Sequence, residues 1–119
     1  MKRIIIVIAL FFSTVSCSDL LKIDKHKITL DGNEQEVVIK ANKAIHFITV
    51  ECDEQVEYSS TQNTETAAGS WFEVMFGAAA VREAKITVSK NETGSKRKIK
   101  VNISDNKYES SCTITQKPL

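Results

Sequence analysis

Arg97-Lys98-Ile99-Lys100-Val101-Asn102-Ile103 decides the fold. Ile99, Val101 and Ile103 fall on one side of an extended chain and Lys98, Lys100 and Asn102 on the other, so the segment reads as a strand with one buried and one solvated face. The same two-residue period runs outward from it in both directions. Toward the N-terminus, Ile86 and Val88 alternate with Lys85 and Thr87. Phe72, Val74 and Phe76 alternate with Trp71, Glu73 and Met75, and Ile48, Val50 and Cys52 share a side. Toward the C-terminus, Cys112 and Ile114 lie opposite Thr113 and Thr115.

Seven strands follow: 27–30, 36–41, 45–51 with an extension toward Tyr58, 71–76, 85–89, 96–104 and 110–117. Asp31-Gly32-Asn33, Ala41-Asn42-Lys43, Asn91-Glu92-Thr93-Gly94 and Asp105-Asn106-Lys107 carry the Gly, Asn and Asp residues that turn a chain back on itself. Short strands with hairpin-length connections give antiparallel sheets, and this many in one small domain give two packed layers. The expected fold is all-β, an immunoglobulin-like antiparallel sandwich of about seven strands. Ser59 to Ser70 reads as a polar loop, and Gly77 to Ala84 as a segment with a helical turn at Ala78-Ala79-Ala80.

The 119 residues are 42% hydrophobic and 26% charged, a composition that excludes a disordered tail or a polytopic membrane protein. Sixteen Lys and Arg face 15 Asp and Glu, so no nucleic-acid footprint is present and no nucleic-acid partner is expected.

The first 16 residues carry an address. Lys2 and Arg3 precede the apolar run Ile4 to Phe12, and small and polar residues lead from there to Cys17. A bilayer-crossing helix takes about 20 apolar residues. The shorter run reads as a leader that is removed. Thr14-Val15-Ser16-Cys17 resembles the lipobox of bacterial lipoprotein signals, with Thr14 where Leu is commonest. That resemblance implies cleavage before Cys17 and acylation of its thiol, followed by a tether over 17–24 and a folded domain over 25–119. Ordinary cleavage near the same point is the alternative, with Cys17 left as a free thiol. Removing the leader turns the formal balance slightly acidic, so acyl chains rather than lipid electrostatics would hold the protein at a membrane. Ser18-Asp19 is reminiscent of acidic export signals on surface lipoproteins. The expected location is therefore the cell envelope, at the outer membrane, with exposure at the surface suggested.

The closing half carries a second resemblance. Trp71-Phe72-Glu73-Val74, then Thr87-Val88 followed by Asn91 and Thr93, then the Arg97-led strand, then Thr113-Ile114-Thr115-Gln116 resembles in order and spacing the BACON domain, the "Bacteroidetes-associated carbohydrate-binding often N-terminal" family. Glu36 to Ala41 with Asn42 matches that family's second strand and turn more loosely. Ile45-His46-Phe47 stands where the family often carries Ser-Trp, and its Gly-rich turn after the Trp strand is reduced to Gly77. The resemblance implies an exported immunoglobulin-like sandwich with carbohydrate or mucin binding as its role.

Few residues offer other chemistry. Cys52 and Cys112 share inward positions, and an exported compartment favours a bridge between them. Closing a loop of about 60 residues would contribute roughly 4 kcal/mol. Two separate buried thiols are the alternative. His26 and His46 have no metal-ligand spacing, and the acidic run Glu51, Asp53, Glu54 and Glu57 lacks the pattern of a calcium loop, so no metal or other cofactor is expected. No paired carboxylates in a cleft and no activated nucleophile suggest an enzyme. Sugar binding needs exposed aromatic faces beside amides and carboxylates. Trp71, Tyr58 and Tyr108 are the candidates, with Gln62 and Asn63 beside Trp71, while the lone Trp of a small sandwich more often plugs the open end of its core. Lys96, Arg97, Lys98 and Lys100 can attract an acidic glycan or merely keep sheets apart. Two functions remain open: a glycan-binding or adhesion module, and a spacer that docks another envelope protein.

Overall fold

The computed structural model describes residues 20–77 and 80–119. The leader and Cys17 lie outside the described residues. Nine strands are present among those described: β1 Lys27–Leu30, β2 Gln35–Lys40, β3 Phe47–Glu51, β4 Glu57–Thr61, β5 Thr64–Ala68, β6 Phe72–Gly77, β7 Ala80–Val88, β8 Arg97–Ser104 and β9 Glu109–Gln116. They form two sheets in the orders β1-β9-β8-β3 and β2-β7-β6-β5-β4.

Alternation assigns the core as the sequence implies. Ile99, Val101 and Ile103 of β8, Ile86 and Val88 of β7, Val74 of β6, and Cys112 and Ile114 of β9 are all buried between the sheets. Each Val or Ile so buried contributes about 1.5–3 kcal/mol. Every pairing is antiparallel except β1 with β9, which run parallel with Lys27 opposite Thr113 and Leu30 opposite Gln116. Just before β1, Ile23 bridges Ala41 of the other sheet. The N-terminal segment thus crosses from one layer to the other and ties both together.

Two strands replace the expected polar loop. Residues 57–68 form the β4–β5 hairpin, with Thr61 opposite Thr64 and Glu57 opposite Ala68. Gln62 (φ 44°) and Asn63 (φ 72°) make its two-residue turn. Positive φ at both positions is the requirement of the turn whose twist matches that of paired strands. The segment looked like a loop because β4 is exposed along its whole length. A strand with neither face buried has no hydrophobic period to display. Gly77 (φ 122°) receives the tip of this hairpin, and a Cβ there would fall 2.1 Å from the Asn63 carbonyl oxygen. The helical turn expected after Gly77 is also replaced, in part. Ala78 and Ala79 lie outside the described residues, and from Ala80 the chain is strand, with Ala84 buried on its inner face. β3 ends at Glu51 and does not extend to Tyr58.

The sandwich has two distinct ends. The chain arrives at the proximal end, where the Asn42 side chain accepts from the Lys22 amide (2.8 Å) and donates to the Leu20 carbonyl (3.0 Å). Gly77 and the β4–β5 turn share that end. Trp71, Ser89 and Gln116 lie at the opposite, distal end, where Ser89 N–H donates to the Trp71 carbonyl (2.9 Å).

Candidate functional site

The distal end gathers most of the residues that carried the BACON resemblance, and it uses them to hold the fold. Trp71 is only 9% exposed. Its assignment to the outer face is corrected: the residue stands just before β6, outside the alternating ladder, so both it and Phe72 turn inward. Phe72 meets the indole edge-on, with centroids 5.2 Å apart. The Arg97 guanidinium lies over the ring, 4.4 Å from its centroid. Burial pulls Arg97 below its ordinary value, and the Glu54 carboxylate works against that pull. Arg97 Nε donates to Gln116 Oε1 (2.9 Å), and Nη2 donates to the carbonyls of Ser89 (3.0 Å) and Lys90 (3.1 Å). Gln116 in turn donates from Nε2 to the carbonyls of Ser89 (2.9 Å) and Asn33 (3.2 Å). Asn91, fully buried, donates from Nδ2 to the carbonyls of Ser95, Gln116 and Lys117, and its Oδ1 accepts from the amide and hydroxyl of Thr93. A stacking platform at Trp71 is thus already occupied, by the protein's own arginine.

A charged groove of about 960 Å³ runs beside Trp71, with Glu51, Asp53 and Glu54 on one wall and Lys96, Lys98 and Lys100 on the other. Its charges are partly spent. Glu54 accepts from both the amide and the hydroxyl of Ser70, and Lys100 pairs with Glu51 at 3.8 Å, where both side chains are at least half exposed. Such pairs contribute little.

The predicted aromatic residues do not converge. Tyr108 packs against the core near the β8–β9 turn at the proximal end, with Lys43 and Lys107 ammonium groups 5.9 and 5.4 Å from its ring centroid. Gln62 and Asn63, proposed as companions of Trp71, sit at the far end of β6 from it. Gly77 is six residue steps along the strand from Trp71, roughly 20 Å. Their polarity serves the hairpin turn.

Tyr58 is different. It is 55% exposed, and Phe47 nearby is 57% exposed. Both line a cleft of about 190 Å³ together with His46, Glu65, Thr66 and Phe76. The cleft exists because one sheet is a strand wider than the other: β3 ends its own layer and packs across β5, which leaves the inner face of β4 overhanging. The Tyr58 hydroxyl accepts from Val50 N–H (3.0 Å) and donates to the Val50 carbonyl (3.4 Å), fixing the phenol against the β3 backbone. Ser60 Oγ donates to Glu65 Oε1 at 2.9 Å. Two exposed aromatic residues and a glutamate thus line one opening. Phe47 was missed, although alternation within β3 places it outward with Thr49 and Glu51 opposite buried Ile48 and Val50.

Comparison with solved structures decides the class. A Bacteroides thetaiotaomicron protein solved by NMR superposes with a TM-score of 0.61 at 16% identity, covering 85% of this chain and 89% of that one. A Bacteroides ovatus GH5 xyloglucanase in complex with a XXXG heptasaccharide gives 0.56 at 16% identity, covering 83% of this chain and 19% of that one. The titin M10–obscurin-like 1 Ig complex gives 0.50 at 10% identity, covering 83% and 92%. The chain has an immunoglobulin-like fold. No protein-family model and no curated protein matches it.

Within this immunoglobulin-like domain the two cysteines are separate. Val50 pairs with Val101 and Val101 with Cys112, so β8 lies between the strand that Cys52 follows and the strand that holds Cys112. Two strand spacings put them about 10 Å apart before any offset along the strands is added, beyond the roughly 7 Å that a disulfide spans. Both are free thiols. Burial pushes the Cys112 thiol up to about 11, and the half-buried Cys52 thiol donates to the Glu54 carbonyl at 3.3 Å. Among the described residues, no group of three His, Cys, Asp or Glu side chains is placed to hold a metal ion.

Proposed function

We propose that this chain is a lipid-anchored, non-catalytic, BACON-like module of a bacterial cell envelope that binds glycans at the Phe47–Tyr58 cleft. One observation carries the reading: two aromatic side chains, each more than half exposed, line a single opening with the Glu65 carboxylate. Large aromatic rings left in water beside hydrogen-bonding groups fit the apolar C–H faces and hydroxyls of a sugar. The likeness to part of a xyloglucanase, solved with an oligosaccharide, is consistent with that ligand class but rests on fold alone. The test is titration with a panel of plant and mucin oligosaccharides followed by NMR. Shifts centred on Phe47, Tyr58 and Glu65 are expected, and Phe47→Ala weakens binding about tenfold, or about 1.4 kcal/mol, with little change in melting temperature. Millimolar glycans that move no resonance of the cleft would end this reading.

The anchor half of the proposal rests on Cys17. Two residues, Ser18 and Asp19, separate it from Leu20, so acyl chains there would hold the proximal end against the bilayer and leave the distal end pointing away. Mass spectrometry of protein isolated from its native membrane is expected to find Cys17 as the N-terminal residue bearing a diacylglyceryl group. An unmodified thiol or an intact leader would refute it. The spacer or assembly reading gains from one observation, the bare outer edge of β4.

A further inference from the structure

We propose that β4 is a self-association edge, where two copies of this chain join their five-stranded sheets into one continuous sheet across a two-fold axis. The inference stands apart from the glycan reading, since it concerns backbone groups and its test reads mass.

The two sheets have four edge strands among the described residues, and three of them are blunted. β1 is four residues long. Along β2, Lys25 Nζ donates to the Val38 carbonyl (2.9 Å), Lys40 N–H donates to Asp24 Oδ1 (2.8 Å), and Asp24 N–H donates to the Lys40 carbonyl (2.9 Å). On β3 the Tyr58 hydroxyl occupies both backbone groups of Val50. β4 has no comparable cover. It has neither Pro nor Lys, the usual guards of a free edge.

The hairpin fixes which β4 groups are free. A two-residue turn makes Thr61 and Thr64 a hydrogen-bonded pair, so Ser59–Thr66 and Glu57–Ala68 are hydrogen-bonded as well. The N–H and C=O groups of Tyr58 and Ser60 therefore point away from β5. None of the described residues bonds them.

That spacing is self-complementary. In an antiparallel pairing centred on Ser59, Tyr58 of one copy exchanges both backbone hydrogen bonds with Ser60 of the other, and the reverse, for four bonds in all. Glu57 falls opposite Thr61, so no like charges meet. A parallel or shifted partner would lose this match. Both Tyr58 side chains lie on the inner face, as diagonal neighbours about 7–8 Å apart, so the two clefts open side by side on the same face of the joined sheet.

The Ser59 side chains become direct neighbours across the axis, which makes the register testable. Native mass spectrometry of the full chain in detergent is expected to find a dimer at tens of micromolar. Ser59→Lys and Ser59→Glu each set like charges opposite each other, and each raises the dissociation constant at least tenfold. Mixing the two variants restores a dimer containing one of each. Because Ser59 is exposed, the circular dichroism melts of both match the parent. As a check that does not depend on charge, Ser59→Cys treated with oxidised glutathione forms a covalent dimer that the parent does not. A parent chain that is monomeric at 100 micromolar overturns the proposal. Variants that dimerise as the parent does, or a mixture that stays monomeric, overturn it equally.

Discussion

Trp71→Ala lowers the unfolding free energy by about 3–5 kcal/mol, and the glycan affinity of the molecules that remain folded does not change. The ring is 9% exposed at the distal end, with Phe72 on its edge and the Arg97 guanidinium over its face. Alanine leaves a cavity that two rigid β-layers cannot close. It also strips Arg97 of the flat surface it rests on, although the bonds from Arg97 to Gln116, Ser89 and Lys90 persist. For a domain of this size each kcal/mol shifts the midpoint by about 4–8 °C, so the melting temperature should fall by more than about 12 °C. A fall of under about 4 °C, or a loss of sugar binding without a loss of stability, would return Trp71 to the surface as a recognition residue. The expected contrast with Phe47→Ala is a loss of stability without a loss of binding for Trp71→Ala and, under the proposed glycan reading, the reverse for Phe47→Ala.

Periodicity read this chain well where burial is one-sided and poorly where it is not. The apolar inward sets of β6, β7, β8 and β9 match the structure, but Asn102, expected on the solvated face of β8, is buried there because its amide donates to Glu51 Oε2 (2.8 Å) and accepts from Ser111 Oγ (2.8 Å). β4 and β5 are mostly Ser, Thr, Glu and Ala. β4 is solvated on both faces, so only its turn could announce it, and Gln62-Asn63 is not the Asn-Gly or Asp-Gly pair that would. The parallel β1–β9 contact is invisible for another reason: no turn joins the two strands, and nothing local encodes a pairing between the chain's two ends. Trp71 was misplaced because the two-residue period applies only inside a strand, and this residue is one position short of it. Cys52 and Cys112 were correctly put on inward faces, yet a face assignment does not say which strands are neighbours, and the sheet order places β8 between them. Tyr58 was legible as an exposed ring. Its partner Phe47 lay within reach of the same alternation that sorted Ile48 and Val50.

Asn91→Ala is expected to cost about 2–4 kcal/mol, nearly as much as losing the indole, from a side chain a fraction of its size. The cost is electrostatic. Asn91 is fully buried, and its amide group serves the carbonyls of Ser95, Gln116 and Lys117 while accepting from Thr93. Its backbone donates to the Gly32 carbonyl and accepts from Leu119 N–H, so one residue fastens the β1–β2 turn, the β7–β8 loop and the C-terminus together. Alanine keeps the backbone bonds and removes the donor of three carbonyls, the buried one of Gln116 and those of the exposed residues Ser95 and Lys117, at about 1–3 kcal/mol for each group that no water rescues. Asn91→Asp separates charge from shape. The isosteric carboxylate still accepts from Thr93 but presents oxygen to three carbonyl oxygens, so the folded state raises its pKa above the unfolded value. Its penalty is therefore full above the folded pKa and shrinks as pH falls through it, which predicts a variant that becomes more stable, relative to the parent, on mild acidification. Urea denaturation of both variants at neutral and acidic pH reads this directly. Equal and pH-independent losses would mean that the loop is held by its backbone alone and that the Asn91 amide is dispensable.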